Sequence, residues 1–270
     1  MAMGTGPVAL LDLATDAAQR AADLLVGGFE RARATVETKS TATDMVSEMD
    51  RASERLIVST LLAARPDDGL VGEEGSASPG TSGLRWVIDP LDGTTNYLYG
   101  HPGWAVSIAA EDDVGVVAAV VVDPVHRDVF TATRGGGARR NGRGISCSSL
   151  DDLSTALVAT GFGYAAGRRR AQAEVLVELI PRIRDIRRMG AASVDLCSVA
   201  CGRVDAYYER GLAWWDLAAG GLIAAEAGAL VSAIDGGPAG PEAGSIVAAG
   251  PGVFSTLRDL LSSLGAHNVS

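Results

Sequence analysis

Two stretches near the start of the chain carry apolar residues at helical spacing. Residues 9–33 place leucines and alanines on one side, and residues 45–64 place methionines and leucines in the same way. Pro66 follows the second stretch, where a proline is typical of a helix end. We therefore predict two amphipathic helices before residue 66.

The middle of the chain changes to short apolar runs separated by turn-forming residues. The runs cover residues 70–71, 86–88, 104–110, 114–122 and 129–133. Glycine-rich segments at 75–83 and 135–144 interrupt or follow them. This pattern predicts a mostly antiparallel sheet.

After about residue 150 the pattern alternates between strands and helices. The predicted strands cover residues 156–160, 205–208, 228–231 and 245–249, and the predicted helices cover 171–180, 192–200, 217–227 and 253–264. No internal repeat or long linker separates this part from the preceding one. We therefore expect an α/β (α+β) chain with a single domain over 1–270, in which an antiparallel half (about 1–148) and an α/β half (about 149–270) share one core.

Composition and charge narrow the function classes. The 270 residues include 23 basic and 33 acidic ones, and the resulting net charge of −10 disfavours nucleic acid as the main partner. We interpret the arginine clusters at 168–170 and 182–188 as solvated faces or ion-pair partners. The longest apolar run, 114–122, is far shorter than the ~18 residues that a membrane span needs. With three histidines and three cysteines that form no C-x-x-C pair, and no signal-peptide pattern, we expect a cytoplasmic protein without membrane contact or structural zinc.

The segment over 85–96 combines a buried type of strand with acidic and hydroxyl residues. Asp89 ends the strand, Pro90 directs the exit, and Asp92 follows three residues after Asp89. Two carboxylates on one tight turn repel each other unless a cation lies between them, and oxygen ligands favour a hard ion such as Mg²⁺. Gly93 and the two threonines after it suit a phosphate group. An Asx turn capped by Asp92 is the alternative, but it leaves Asp89 and the threonines unexplained.

Two further carboxylates stand at the ends of predicted elements. Glu73 follows the run 70–71, and Asp216 comes directly before the predicted helix 217–227. Taken alone, Glu73 fits a loop residue and Asp216 fits a helix cap. Together with the 85–96 segment, they place acidic side chains at the ends of three separate elements.

Four motifs occur in the order of a known family: residues 72–74, 86–96, 205–209 and 215–220. In this combination the chain resembles the inositol monophosphatase family of Mg²⁺-dependent, lithium-sensitive phosphatases. The resemblance extends from Lys39 to Gly228. It implies a layered αβαβα sandwich of the inositol monophosphatase and fructose-1,6-bisphosphatase type, a homodimer, and a site between the two halves.

The resemblance also implies two to three Mg²⁺ ions per site. The implied ligands of a first ion are Glu73, Asp89 and the carbonyl oxygen of Leu91, those of a second are Asp89, Asp92 and Asp216, and Glu73 would also hold a third, weaker ion. Hydrolysis would proceed by metal-activated water, which Glu73 and Thr94 would orient and deprotonate. Asp50 would support Thr94, and Lys39, the only lysine of the chain, would lie near the phosphate.

The substrate contacts that the resemblance implies fall into two groups. Those on the phosphate side are Asp92, Gly93, Thr94, Thr95 and Asp216, and those on the ring side are Gly190, Ala191, Ala192 and Glu209. Ala191 stands where the family has a hydroxyl residue, and this departure is tolerable because family contacts there are partly through the backbone.

The implied activity is hydrolysis of myo-inositol monophosphate. Relatives that act on histidinol phosphate or 3′-phosphoadenosine nucleotides tend to carry lysine where this chain has Thr95, which favours inositol phosphates. Those substrates, fructose 1,6-bisphosphate and other sugar phosphates stay open as alternatives. A binding role with the transcription machinery, known for some bacterial relatives, is less favoured because the set of metal carboxylates is complete.

Overall fold

The computed structural model describes residues 6–35 and 42–268. Its α-helices in this part of the chain are α1 (Pro7–Thr35), α2 (Ala42–Ala64), α3 (Thr94–Tyr99), α4 (Ala166–Leu179), α5 (Ala192–Ala200), α6 (Trp214–Glu226) and α7 (Pro251–Ser263). None of the described helices is both long enough and apolar enough to span a membrane.

The strands form two sheets. The first contains β1 (Gly69–Gly72), β2 (Ala77–Ser78), β3 (Arg85–Asp92), β4 (Ala105–Asp112), β5 (Gly115–Asp123), β6 (Asp128–Thr133), β7 (Gly137–Arg140) and β8 (Arg143–Gly144). The second contains β9 (Leu157–Thr160), β10 (Asp185–Arg187), β11 (Ala206–Arg210), β12 (Leu230–Ser232) and β13 (Ser245–Ala249).

The two sheets differ in strand direction. The first has the order β2-β1-β3-β4-β5-β6-β7-β8 and is antiparallel except between β1 and β3. The second has the order β10-β9-β11-β13-β12, with parallel pairs around β9 and antiparallel pairs around β13. The predicted contrast between an antiparallel half and an α/β half is therefore present.

Three apolar layers hold these elements together. Helices α1 and α2 pack on one face of the first sheet, where Trp86 is fully buried. Helices α5 and α6 lie between the sheets, and Val87 of one sheet and Tyr207 of the other belong to the same core cluster. Helices α4 and α7 cover the outer face of the second sheet through residues such as Leu257. This αβαβα layering confirms the predicted fold class, whereas the division of the chain into one domain with a boundary near 148 stays a prediction.

Alternation along β3 explains how the sheet presents acidic groups to the middle layer. Trp86 and Ile88 point into the α1/α2 layer, while Val87 points to the layer between the sheets. Since successive side chains of a strand alternate between faces, Asp89 continues the series of Val87 and faces the middle layer. The strand therefore delivers a carboxylate to the junction of the two halves.

Several element bounds differ from the prediction. The glycine-rich segment at 135–144 holds the hairpin of β7 and β8, whose turn places Asn141 at φ 50°. Helix α4 begins at Ala166, before the predicted start at 171. The apolar pattern misses this first turn because it carries arginines instead of apolar residues. The short α3 and the exposed edge strand β10 are not predicted by the apolar pattern.

Candidate active site

The end of β3 positions the first two carboxylates of the site. The register of β3 with β4 shifts between Asp89 and Asp92, so the strand bulges there. The Leu91 N–H donates to Asp89 Oδ1 at 3.0 Å, and Ser53 Oγ on α2 donates to the Pro90 carbonyl at 2.9 Å. These bonds fix the exit from the strand, so the Asp89 and Asp92 carboxylates are held next to each other.

The turn after Asp92 requires glycine. Gly93 has φ 87°, and a Cβ at this position would lie 2.6 Å from the Gly103 carbonyl oxygen. Thr94 then begins α3, and its hydroxyl donates to the Leu91 carbonyl at 3.1 Å. The Asn96 amide donates to the carbonyls of Gly103 and Met189 at 2.6 and 2.7 Å, which ties this turn to the second half of the chain.

The second half supplies the third carboxylate and a support for the second. Ser193 on α5 donates to Asp92 Oδ2 through both its N–H (2.7 Å) and its hydroxyl (2.6 Å). Asp216 lies in the first turn of α6, where it accepts the Ala213 N–H at 2.6 Å. Carboxylate oxygens of Asp89, Asp92 and Asp216 all lie within 4.8 Å of one another. We call these three residues the acid cluster.

Glu73 and Asp50 lie beside the acid cluster. The Glu73 N–H donates to the Ile88 carbonyl at 3.2 Å, which places Glu73 next to the end of β3. Glu54 on α2 holds the following loop by accepting the N–H groups of Glu74 (2.9 Å) and Ser76 (3.0 Å). One turn earlier on α2, Asp50 is buried, and its Oδ1 accepts no hydrogen bond within the described residues.

Burial together with mutual repulsion raises the pKa values of these acids. Burial is the largest cause in every case, and it raises the pKa of Asp50 to about 8, of Glu73 to about 7 and of Asp216 to about 8, with neighbouring carboxylates adding to the shift. Burial followed by the charge of Glu73 raises the pKa of Asp89, and burial raises that of Asp92 against the hydrogen bonds from Ser193. An added cation would relieve this repulsion, so the oxygen-only donor set fits a hard divalent ion.

The acid cluster opens into a cavity of about 270 Å³. Glu209 on β11 lines it, accepts the Tyr207 hydroxyl at 2.7 Å, and has its pKa raised by burial to about 7. Gly161 on the neighbouring chain segment leaves the space that the Glu209 carboxylate occupies. The cavity thus joins the acid cluster, which could hold a cation, to the partly buried carboxylate of Glu209.

Most residues predicted for the site line this cavity: Glu73, Asp89, Leu91, Asp92, Gly93, Thr94, Gly190, Ala191, Ala192, Glu209 and Asp216. Asp50 and the exposed Thr95 are not among the lining residues. The Thr94 hydroxyl donates to the Leu91 carbonyl, and the expected support of Thr94 by Asp50 stays a prediction. Lys39 lies outside the described residues.

Other residues of the site were missed by the sequence interpretation. Ser193 and Glu54 hold the acids and the Glu73 loop, and Arg168 and Arg188 line the cavity. The sequence does contain a signal for Glu54, because Ser53 and Glu54 stand at helical spacing from the apolar Ile57 and Leu61. In the structure both polar residues are buried on that face of α2. Buried polar residues on a core-facing helix side require partners, and here the partners belong to the site.

Comparisons with known proteins agree with this geometry. The sequence model of the inositol monophosphatase family matches residues 8–264 of this chain. Inositol-1-monophosphatase SuhB of Mycobacterium tuberculosis (strain ATCC 25618 / H37Rv) is 45% identical over 245 residues, which cover 86% of this chain and 82% of that protein. Nus factor SuhB of Pseudomonas aeruginosa is 42% identical over 264 residues, which cover 96% of each chain. The solved structure of extragenic suppressor protein suhB from Bartonella henselae superposes with a TM-score of 0.85 at 35% identity, covering 94% of this chain and 99% of that one. This chain belongs to the inositol monophosphatase family.

Proposed function

We propose that this protein hydrolyses inositol monophosphate to inositol and inorganic phosphate. The observation that carries the proposal is the acid cluster, with three carboxylates within 4.8 Å of one another, at a cavity that also contains Glu209. Family membership and the name of the mycobacterial relative support the same activity. The reaction adds the oxygen of one water molecule to phosphorus, breaks the bond between phosphorus and the alcohol oxygen, and leaves that oxygen with a proton.

We propose Mg²⁺ as the cofactor, with two to three ions per site. Glu73, Asp89 and the Leu91 carbonyl would hold one ion, and the acid cluster would hold a second. When bound, Mg²⁺ neutralises charge on a phosphate and lowers the pKa of water. The fit rests on the raised pKa values of these acids, since buried carboxylates without a cation repel one another.

The protein's own residues have separate tasks in this proposal. Glu73 would accept the proton of the attacking water, because its carboxylate lines the cavity beside the acid cluster. Thr94 would orient that water through its hydroxyl, and the backbone at Gly93, which lines the cavity, would approach the phosphate. Thr95 does not line the cavity, so its predicted contact with the phosphate carries less weight. Asp50, whose pKa is raised to about 8 by burial and then by the charge of Glu73, lies behind Glu73 and would support the Glu73 and Thr94 side of the site.

The remaining cavity residues would bind the alcohol part of the substrate. Gly190, Ala191 and Ala192 present backbone groups to the ring, and Glu209 accepts hydrogen bonds from its hydroxyls. The Tyr207 hydroxyl already donates to Glu209 Oε2, so the orientation of this carboxylate is set before a substrate arrives.

A link to the transcription machinery is the second candidate function. The observation that favours it is the name of the Pseudomonas relative, Nus factor SuhB, at 42% identity. Co-purification of RNA polymerase with the intact chain would support it. A homodimer, sensitivity to lithium and a cytoplasmic location stay predictions that follow from the family.

Phosphate release from a panel of esters tests the proposed function. The panel contains myo-inositol 1-phosphate, fructose 1,6-bisphosphate, histidinol phosphate and a 3′-phosphoadenosine nucleotide. We expect release from inositol phosphate that EDTA abolishes and Mg²⁺ restores, while the larger Ca²⁺ fails to replace it. Release from another ester without release from inositol phosphate would contradict the proposal.

A further inference from the structure

Helix α6 lines two different cavities. Trp215 and Asp216 line the cavity of the acid cluster. The β4–β5 turn and the segment 238–241 line another cavity, of about 580 Å³, together with five residues of α6 that repeat at helical spacing: 214, 217, 218, 221 and 222. We call it the second cavity. Its size is typical of sites that bind small organic molecules.

The wall that α6 contributes to the second cavity is apolar and only partly covered. Trp214 and Leu222 of α6 and Val231 of β12 are partly buried side chains packed against the core layer between the sheets. The Trp214 indole is held in one orientation, because its Nε1 donates to Glu111 Oε2 at 2.8 Å. A fixed aromatic ring beside aliphatic side chains suits the apolar part of a ligand, since little side-chain entropy is lost on binding.

Glycine at position 221 keeps this wall open. Gly221 lies inside α6, where glycine is less favourable than every other residue except proline. A Cβ at this position would meet no atom within 4 Å, so the fold has room for a side chain there. A glycine that neither packing nor helix formation requires fits a place where a ligand approaches the backbone closely.

The charged groups of the second cavity are all carboxylates. Among the described residues that line it, these are Glu111, Asp112 and Asp113. Glu111 accepts Arg85 Nε at 2.6 Å, and Asp112 accepts Arg134 Nη2 at 2.8 Å. Asp113 is exposed and forms no ion pair within the described part of the chain. It therefore leaves a negative charge at the cavity that attracts a cation and repels an anion.

We propose that the second cavity binds a small organic ammonium ion, which is an apolar body that carries one protonated amine. The apolar body would lie against Trp214 and the backbone of Gly221, and the ammonium group would pair with Asp113. An anionic ligand is disfavoured by the three carboxylates, and a neutral one would leave Asp113 without a counter-charge. The proposal does not depend on the proposed hydrolysis, because it concerns a separate cavity.

Three phenyl compounds that differ mainly in charge test the site. The probes are 2-phenylethylamine, 2-phenylethanol and 3-phenylpropionate, titrated by calorimetry at neutral pH in saturating Mg²⁺, which competes for the acid cluster. The amine is then a cation, because alkyl ammonium groups such as that of lysine have a pKa of about 10. We expect the amine to bind at least five-fold more tightly than the alcohol, and 3-phenylpropionate to bind more weakly than the alcohol.

Two substitutions separate the charge from the apolar wall. Asp113→Asn should bring the affinities for amine and alcohol to within two-fold of each other. Gly221→Leu should weaken both at least ten-fold, because the leucine side chain fills the cavity. The matched controls are Asp151→Asn and Gly27→Leu, which alter an exposed acid and an open helical glycine outside the cavity lining. Both controls should leave the three affinities unchanged.

Three results would overturn the site. The first is an unaltered protein that binds the amine no more tightly than the alcohol, or that binds no amine at millimolar concentrations. The second is an amine preference that persists in Asp113→Asn, which changes only an exposed turn residue and so gives an answer even if Gly221→Leu disturbs the helix. The third is amine binding that Asp89→Asn abolishes and Gly221→Leu retains, because the amine would then occupy the acid cluster. No phosphate ester is present, so none of these results bears on the proposed hydrolysis.

Discussion

Two buried carboxylates of the first sheet, Asp128 and Asp89, differ in what surrounds them. Both side chains belong to residues that are 1% exposed. Asp128 on β6 receives Arg140 Nε and Arg203 Nη2, each at 2.7 Å. Burial acts to raise the pKa of Asp128, but these two hydrogen-bonded arginines outweigh it and hold the pKa below its usual range. Asp89 faces carboxylates, and its pKa is raised.

The difference shows how one sheet uses buried charge for two purposes. The chain neutralises Asp128 with its own cations, so the negative charge contributes to the stability of the fold. It leaves Asp89 without a basic partner among the described residues that line the site near it, so the charge is compensated only when a cation arrives. The uncompensated charge at Asp89 therefore lowers the stability of the fold but leaves the carboxylate available to a cation, as is common at functional sites.

The largest expected effect comes from removing one of these charges at a time. Asp89→Asn should lower kcat/KM for inositol phosphate at least about a hundred-fold, because it removes a charge shared between the proposed cation positions. Asp128→Asn is the matched control, since it removes a charge that is equally buried. It should keep the kcat of the folded enzyme and lower the melting temperature, because Arg140 and Arg203 lose their acceptor. Near-normal turnover by Asp89→Asn in saturating Mg²⁺ would contradict the assignment of Asp89 to cation binding and of Asp128 to stability.

Glu209 is an intermediate case, with a tyrosine hydroxyl as its donor and Arg188 beyond ion-pair distance. Glu209→Gln keeps the size of the side chain and removes its charge. We expect turnover of inositol phosphate to fall roughly ten-fold relative to turnover of a small aryl phosphate, since only the former carries ring hydroxyls. Equal losses on the two substrates would assign Glu209 to the cation site. No loss on either would leave it without a role in turnover.

The smallest effect is on stability and concerns pH. In the absence of metal, Asp50 and Asp216 have pKa values of about 8 and Glu73 about 7, above the ordinary 3.8 and 4.5 of these groups. Between about pH 4 and 8 the native state therefore holds more protons than the unfolded state, and the free energy of unfolding falls as pH rises. We expect the melting temperature in EDTA to fall from pH 5 to pH 8, by roughly 2–4 °C for each kcal/mol lost.

Added Mg²⁺ sharpens this pH experiment. It should raise the melting temperature more at pH 8 than at pH 5, because the ligands are deprotonated at the higher pH. Asp89→Asn in EDTA should melt higher than the unaltered protein at pH 8, since the variant lacks a buried acid whose ionisation burial and the charge of Glu73 oppose. A melting temperature in EDTA that rises toward pH 8 would contradict the assignment of raised pKa values to these acids.

Sequence patterns alone predict the helices and strands that turn one face toward a core layer along their whole length. Helices α1 and α2 and strands β3 to β6 are predicted because their side chains enter a core layer at regular spacing. Helix α3 is too short to display a helical period, and the glycines that bound it resemble those of a turn. Strand β10 has exposed Asp185 and Arg187, so it shows no alternation of apolar residues.

The residues of the site also fall into those that the sequence predicts and those that it does not. The carboxylates of 85–96 stand close together in the sequence, and their spacing alone suggests a cation. Ser193 lies 101 positions from Asp92, and nothing near it in sequence shows that its hydroxyl supports an acid. Arg168 belongs to an arginine cluster whose other members lie on the surface, and only the folded chain distinguishes it from them. Local chemistry is thus visible in a sequence, whereas partners contributed by a distant element are not.

The contact between α5 and α6 has a consequence for the shape of the gap between the carboxylates. A Cβ at Gly220 of α6 would lie 2.8 Å from the Cβ of Leu196 and 3.3 Å from the Cα of Ser193, both on α5. The two helices therefore meet almost backbone to backbone and act as a rigid spacer. Helix α5 supports Asp92 through Ser193, and α6 carries Asp216 in its first turn, so the width of the gap is determined during folding. An incoming cation therefore meets carboxylates that are already held at a fixed separation, and it does not have to draw the two helices together.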